Sequence, residues 1–272
     1  VNKLWSLVFL PVPILCVALF AMAPGKGWWL PDNVSTFGSR VDDLFNLILG
    51  IVTVAFVATE GILIYCLYRY AGRGQRALFV HTNHSLELWW TLIPAGILVF
   101  IALYQFKTWR DIKVQGKFPA DVAQKLSRDE PDVEVLAGQF EWRIRYPGKD
   151  GKIGTLDDVI SLNDLHVPVN TNFVLRLRSR DVLHSFFLPN FRVKQDAVPG
   201  MTIPVWFQGT KEGTFDLFCA ELCGWGHYKM RGRIIVQSKA SYDAWLEESY
   251  EEQERDMAAV KTVAQTKTEV PQ

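Results

Sequence analysis

The stretch C219-A-E-L-C-G-W-G-H-Y-K-M230 places two cysteines, a histidine and a methionine in one short loop. Two thiolates, an imidazole and a thioether form a soft ligand set, which favours copper. Gly224 and Gly226 lie between Cys223 and His227, where they let the backbone curl until several side chains converge on one point. A strand does this poorly, because its alternate side chains face opposite ways. A further strong ligand is needed, and His184 in D181-V-L-H-S-F-F187 is the best candidate among the five histidines, since it lies in a β-like run of the same half. Two thiolates and two imidazoles suffice for two coppers. Two other readings stay open: Cys219 and Cys223 as a disulfide, or a structural zinc held by a Cys2His2 set. Met230 weighs against zinc, which has little use for a thioether.

Outward from this loop, the chain reads as membrane-attached. Of its 272 residues 49% are hydrophobic and 21% charged, with zero formal net charge, so no global pull toward nucleic acid exists. The apolar residues are clustered. Cys16 and Cys66 fall inside apolar runs and read as small buried hydrophobes, which leaves one functional cysteine pair.

Residues 1–23 hold an apolar run from Leu4 to Ala23, a signal sequence or an extra transmembrane helix. Ala21-Met22-Ala23 resembles a cleavage site, but Pro24 directly after it, and the tolerance of membrane helices for Pro11 and Pro13, favour retention. Residues 24–106 form a transmembrane hairpin with spans at 44–68 and 86–106, the first preceded by a short polar loop. Glu60 interrupts the first span; an acid at that depth faces protein or water, or stays protonated. Arg69, Arg73 and Arg76 put the intervening loop in the cytoplasm, so the C-terminal half is exocytoplasmic, and Lys3 agrees. His81 and His84 read as interfacial, and Trp89 and Trp90 as interfacial anchors.

Residues 107–131 are charged and irregular, a linker with some helix. From 132 to 238 short apolar runs alternate with turn signals such as Pro147-Gly148, Asp150-Gly151 and Pro199-Gly200, the pattern of a β-sandwich or barrel. Candidate strands are 133–146, 164–169, 172–179, 185–188, 201–207, 213–218 and 232–237. Residues 239–272 give an amphipathic helix from Ser241 carrying Trp245 and Leu246, then a polar tail expected to be disordered beyond about 256. The fold class is thus α+β: a membrane hairpin followed by an all-β domain.

The 219–230 segment closely resembles the copper A motif of subunit II of haem-copper, cytochrome c type terminal oxidases, and the likeness runs from the hairpin to about residue 247. The resemblance implies a cupredoxin domain whose metal loop joins its last two strands. It implies that Cys219 and Cys223 bridge two coppers, with His184 and His227 as terminal ligands and Met230 and the Glu221 carbonyl as weak ones. The Glu221 side chain would help hold a magnesium ion shared with subunit I. Glu87, in L86-E-L-W-W-T-L-I-P-A95, matches the mouth of a proton path into subunit I. The implied partners are subunit I, subunit III, a cytochrome c-like donor and the lipid membrane, with no nucleic acid. The implied location is a bacterial inner membrane, in preference to the mitochondrial one, with the copper domain periplasmic. Electrons would enter one at a time and pass to haem in subunit I, where oxygen is reduced. This chain carries no haem-attachment motif and no histidine in either span.

Two positions depart from the family. Phe140 stands where the family has an electron-receiving tryptophan, and Trp142, two strand steps on and about 6.5 Å away, is the expected substitute. Arg143, Arg145 and Arg180 bring positive charge where the family's docking surface is acidic, with Asp181 remaining, so a basic cytochrome c would be steered poorly. Two rivals are a copper-free quinol-linked subunit, which the cysteines disfavour, and a nitrous oxide reductase-like copper A domain, which the hairpin disfavours.

Overall fold

The computed structural model describes residues 4–71, 74, 76 and 78–268, and side chains from 7 to 255 within that range. Lys3 and Arg73, used above for topology, lie outside the described residues. The chain divides into two compact units, one comprising Val1–Pro31 and Arg40–Asp111, the other Asp32–Ser39 and Ile112–Gln272.

In the first unit the N-terminal apolar run folds as two helices, α1 (Leu4–Phe9) and α2 (Pro11–Met22). The break falls at Leu10, because the ring of Pro11 removes a helical donor and Pro11 itself fits the first turn of a new helix. Helices α3 (Gly38–Tyr70) and α4 (His84–Lys113) are long and apolar enough to cross a membrane. Each outruns its apolar core: 33 residues span about 50 Å, against roughly 30 Å of hydrocarbon. Val54 and Leu103 point outward, as side chains do when the lipid is the solvent. Thr53, Thr59 and Thr91 turn their hydroxyls back to carbonyls four residues earlier, which satisfies them without water. Asn83 caps α4 through its side-chain oxygen, which accepts from the Leu86 amide at 3.1 Å. Glu60 has no ion-pair or hydrogen-bond partner among the described residues.

The second unit is a two-sheet sandwich. One sheet has the order β3-β2-β1-β5-β8, the other β4-β10-β9-β6-β7. The strands are β1 (Val133–Gly138), β2 (Glu141–Tyr146), β3 (Val159–Leu162), β4 (Asp164–Pro168), β5 (Asn172–Ser179), β6 (His184–Leu188), β7 (Val193–Ala197), β8 (Ile203–Gln208), β9 (Gly213–Cys219) and β10 (Arg231–Gln237). Pairing is antiparallel except for β1 with β5 and β4 with β10. Alternation builds the core: Trp142, Ile144 and Tyr146 of β2 point inward while Glu141, Arg143 and Arg145 stay at the surface. Val133, Val135, Leu175, Leu177, Phe207 and Ile234 fill the space between the sheets.

The expected single strand over 133–146 is two strands. The chain reverses at Gln139-Phe140, and Gly138 pairs with Glu141. Phe140 and Trp142 therefore do not share one strand face, and the 6.5 Å step between them does not apply. Strands β3 and β7 were not anticipated. The 107–131 segment is largely helical: α4 runs on to Lys113, and α5 (Ala120–Ser127) buries Val122. Helix α6 runs Lys239–Thr268, past the point where a disordered tail was expected. Its Trp245 stacks on His166 with ring centroids 3.8 Å apart.

The polar stretch before α3 is more than a loop. Residues Asp32–Ser39 lie along the sandwich: Val34 and Phe37 are buried, and Phe37 meets Trp206 edge-on at 5.6 Å. The Val34 amide donates to the Asn190 carbonyl, and the Thr210 amide donates to the Val34 carbonyl.

Candidate metal centre

Strand β6 presents His184 at its first position, and β9 ends on Cys219, two positions away across the β6–β9 ladder. The 219–230 loop is closed at its base by the Cys219 amide donating to the Met230 carbonyl at 3.1 Å. The Ala220 amide donates to the Ser185 carbonyl, tying the loop to β6. Within the loop the Gly224 and Gly226 carbonyls accept from His227 and Lys229, which winds the chain into a short 3-10 turn at His227–Lys229.

Five side chains and one carbonyl converge there. Cys219 Sγ and Cys223 Sγ are 3.8 Å apart, and both thiols are free. His184 Nδ1 is 3.9 Å from Cys219 Sγ, and His227 Nδ1 is 3.5 Å from Cys223 Sγ. Met230 Sδ lies 3.8 Å from Cys223 Sγ, and the Glu221 carbonyl oxygen 3.3 Å from Cys219 Sγ. The ligand atoms of His184, Cys219 and Cys223 all fall within 4.8 Å of one another. His184, Cys219, Cys223 and Met230 are buried, while His227 is half-buried.

The donors fit a metal. Two sulfurs bound tetrahedrally to one ion at about 2.3 Å stand roughly 3.8 Å apart, as these do. Six donor atoms exceed what a single four-coordinate zinc uses, and the sulfur-rich set matches copper.

Electrostatics separates the two thiols. Burial pushes the Cys219 thiol up, but hydrogen bonds to His184, to the backbone at Ser185 and Glu221, and to His227 prevail and bring it down to about 6. Burial raises Cys223, and the charge of Cys219 beside it raises it further, to about 11. One thiolate thus forms readily and opposes the second, so a bound cation is what makes both thiolates compatible.

Asp181, noted in the sequence only as a leftover acid, holds His184 in place. His184 Nε2 donates to Asp181 Oδ1 at 2.8 Å, which turns Nδ1 toward the sulfurs. Asp181 also accepts from the Gln139 and Val182 amides. Burial raises the Asp181 carboxyl, but the bonds from His184 and these amides hold it below its ordinary value. The three-residue spacing in D181-V-L-H184 was the available signal. Gln139 adds a bond from its Nε2 to the Cys223 carbonyl at 2.5 Å.

Trp142 is fully buried, with its ring against His184 and Phe186 at 6.4 and 5.6 Å, so it offers no surface to a donor. Phe140 instead lies against the metal loop. A Cβ on Gly226 would come within 2.5 Å of its ring and one on Gly224 within 3.2 Å, so these glycines make room for Phe140. The three arginines do not form a free positive patch. Arg143 pairs with Glu141 at 2.9 Å, Arg180 reaches Glu141 at 3.9 Å, and Arg145 pairs with Asp158 at 3.5 Å and Glu134 at 3.9 Å. Glu87, in the first turn of α4, lies 3.6 Å from His84 and far in sequence from the cluster.

A buried thiol, imidazole and thioether cluster on the last interstrand loop of a β-sandwich, in a chain with two apolar membrane-length helices, defines a membrane-anchored cupredoxin-like protein. Residues 24–108 match the model of the cytochrome c oxidase subunit II transmembrane domain, and residues 144–239 that of its periplasmic domain. The chain is 34% identical to the alternative cytochrome c oxidase subunit 2 of Bradyrhizobium diazoefficiens, over 89% of this chain and 91% of the relative. It is 32% identical to cytochrome c oxidase subunit 2 of Thermostichus vulcanus, over 79% and 77%. Among solved structures, the periplasmic domain of subunit II of cytochrome oxidase from Bradyrhizobium japonicum is 28% identical, covering 44% of this chain and 93% of that chain with a TM-score of 0.40. The chain belongs to the cytochrome c oxidase subunit II family, and is a membrane-bound subunit of a haem-copper terminal oxidase with a periplasmic domain.

Proposed function

We propose that the cluster binds two copper ions as a copper A centre, held by His184, Cys219, Cys223, His227, Met230 and the Glu221 carbonyl. The observation that carries this is the convergence of both thiols, both Nδ1 atoms and the Met230 sulfur in one largely buried site. When bound, the copper pair supplies a one-electron relay between an exocytoplasmic cytochrome c-like donor and haem in subunit I. The chain's own residues set its environment. Asp181 fixes the tautomer and orientation of His184, Trp142 and Phe186 wall off its ring from water, and Met230 supplies a weak sulfur contact that tunes potential.

In this reading the Glu221 carboxylate helps hold magnesium at the contact with subunit I, and Glu87 admits protons to subunit I. Subunit III joins the assembly, and the membrane is a bacterial inner membrane. Phe140, rather than the buried Trp142, is the one of these two aromatics that lies against the loop on the path of electron entry.

Metal analysis and spectroscopy of the intact complex test the centre. Two coppers per chain with thiolate charge-transfer bands and mixed-valence coupling are expected; one zinc, or a disulfide without copper, refutes it. Cys219→Ser should abolish the centre, and Met230→Leu should retain copper at a shifted potential.

A further inference from the structure

The metal loop exposes large apolar side chains where a soluble surface normally hides them. Trp225 is 80% exposed, Leu222 77% and Tyr228 74%, all within the loop that carries Cys219, Cys223, His227 and Met230. Tryptophan is the side chain most enriched at the energetic centre of protein interfaces, and a contiguous exposed apolar patch marks such a site. Trp225 is also connected inward. Its ring meets Phe140 edge-on at 5.3 Å, and Phe140 lies against Gly224 and Gly226, the loop backbone between Cys223 and His227. A line of contact therefore runs from solvent to the loop backbone between the two ligands Cys223 and His227.

We propose that Trp225, backed by Phe140 and sharing its loop with the exposed Leu222 and Tyr228, is the contact point for the electron-donor protein. This rests on the copper reading above and specifies its donor: a redox protein whose contact face is apolar and weakly charged. Charge around the patch selects that chemistry, because its signs balance: Arg143, Arg180, Lys229 and Arg231 stand against Glu141, Asp181, Asp216 and Glu221, with Arg143 and Arg180 both reaching Glu141 and Arg231 paired to Asp216. Such a surface gains little from long-range steering and depends on desolvated apolar contact.

The test is stopped-flow reduction of the copper centre in the intact oxidase, with a soluble class I cytochrome c as the probe. Trp225→Ala should lower the second-order rate by about 30-fold, the scale of an interface hot spot. Trp225→Phe should recover most of it. In wild type the rate should change little with salt. Leu156→Ala, at an exposed apolar site outside the loop, should leave the rate unchanged. The proposal is overturned by a Trp225→Ala rate within twofold of wild type. It is equally overturned if that variant loses its copper bands, making Trp225 scaffolding, or loses the catalytic subunit on purification, making the patch a subunit contact. A wild-type complex without copper would instead refute the underlying reading, whatever the variants do.

Discussion

Gly226→Ala is the sharpest perturbation the site offers. The added Cβ would fall 2.5, 2.7 and 2.8 Å from three carbons of the Phe140 ring, contacts that real Cβ atoms do not make. The ring cannot simply swing away, since Trp225 lies against it and the Gly224 backbone on which it also rests is fixed through the Gln139–Cys223 bond. Overpacking of this kind costs about 1–3 kcal/mol. For a domain of this size each kcal/mol lowers the melting temperature by about 2–4 °C, so a drop of roughly 2–12 °C is expected. Thermal unfolding of purified protein, followed by loss of the copper absorption, reads it directly. The clash has one identified partner, so Phe140→Ala in the same chain should relieve it, with a coupling of about 1–3 kcal/mol in the double-mutant cycle. Additive effects, or a Gly226→Ala protein as stable as wild type, would refute the steric account.

Metal uptake should strengthen with pH. Between the depressed Cys219 thiol, at about 6, and the raised Cys223 thiol, at about 11, binding displaces one thiol proton, so apparent affinity should rise about tenfold per unit. Competition against a chelator of known pH dependence measures this, and a flat profile between pH 7 and 9 would contradict it. Trp142→Ala should cost about 3–5 kcal/mol through the cavity it leaves beside His184 and Phe186, seen as a lower denaturant midpoint; a surface-like effect under 0.5 kcal/mol would show the ring is not core. Glu87→Gln should slow turnover of the assembled oxidase while leaving copper reduction intact, and equal turnover would count against a proton-entry role.

The ligand set was legible because metal chemistry restricts residue type and the loop confines spacing: Cys219, Cys223, His227 and Met230 are near neighbours in sequence. His184 needed only the β pattern around it. Phe140 and Trp142 were misplaced because the reversal in V133-E-V-L-A-G-Q-F-E-W-R-I-R-Y146 shows only as a one-residue phase shift, from Val133, Val135 and Ala137 inward to Trp142, Ile144 and Tyr146 inward, and Gln139-Phe140 is not a turn dipeptide. Arg145 looked unopposed because Glu134 sits eleven residues from it in sequence but directly across the ladder. Strand β7, V193-K-Q-D-A197, was missed because an edge strand carries polar residues that blur the pattern.

The Asp32–Ser39 strap bears on how the β-domain is isolated. Any soluble fragment cut by position in the sequence, beginning near 112, leaves behind the eight residues that cover Trp206 and satisfy backbone groups at Asn190, Gln208 and Thr210. Its sandwich would present a vacant groove with unpaired donors and acceptors, an invitation to intermolecular strand addition. Fusing residues 32–39 through a flexible tether, or adding them as a free octapeptide, should restore solubility by complementation.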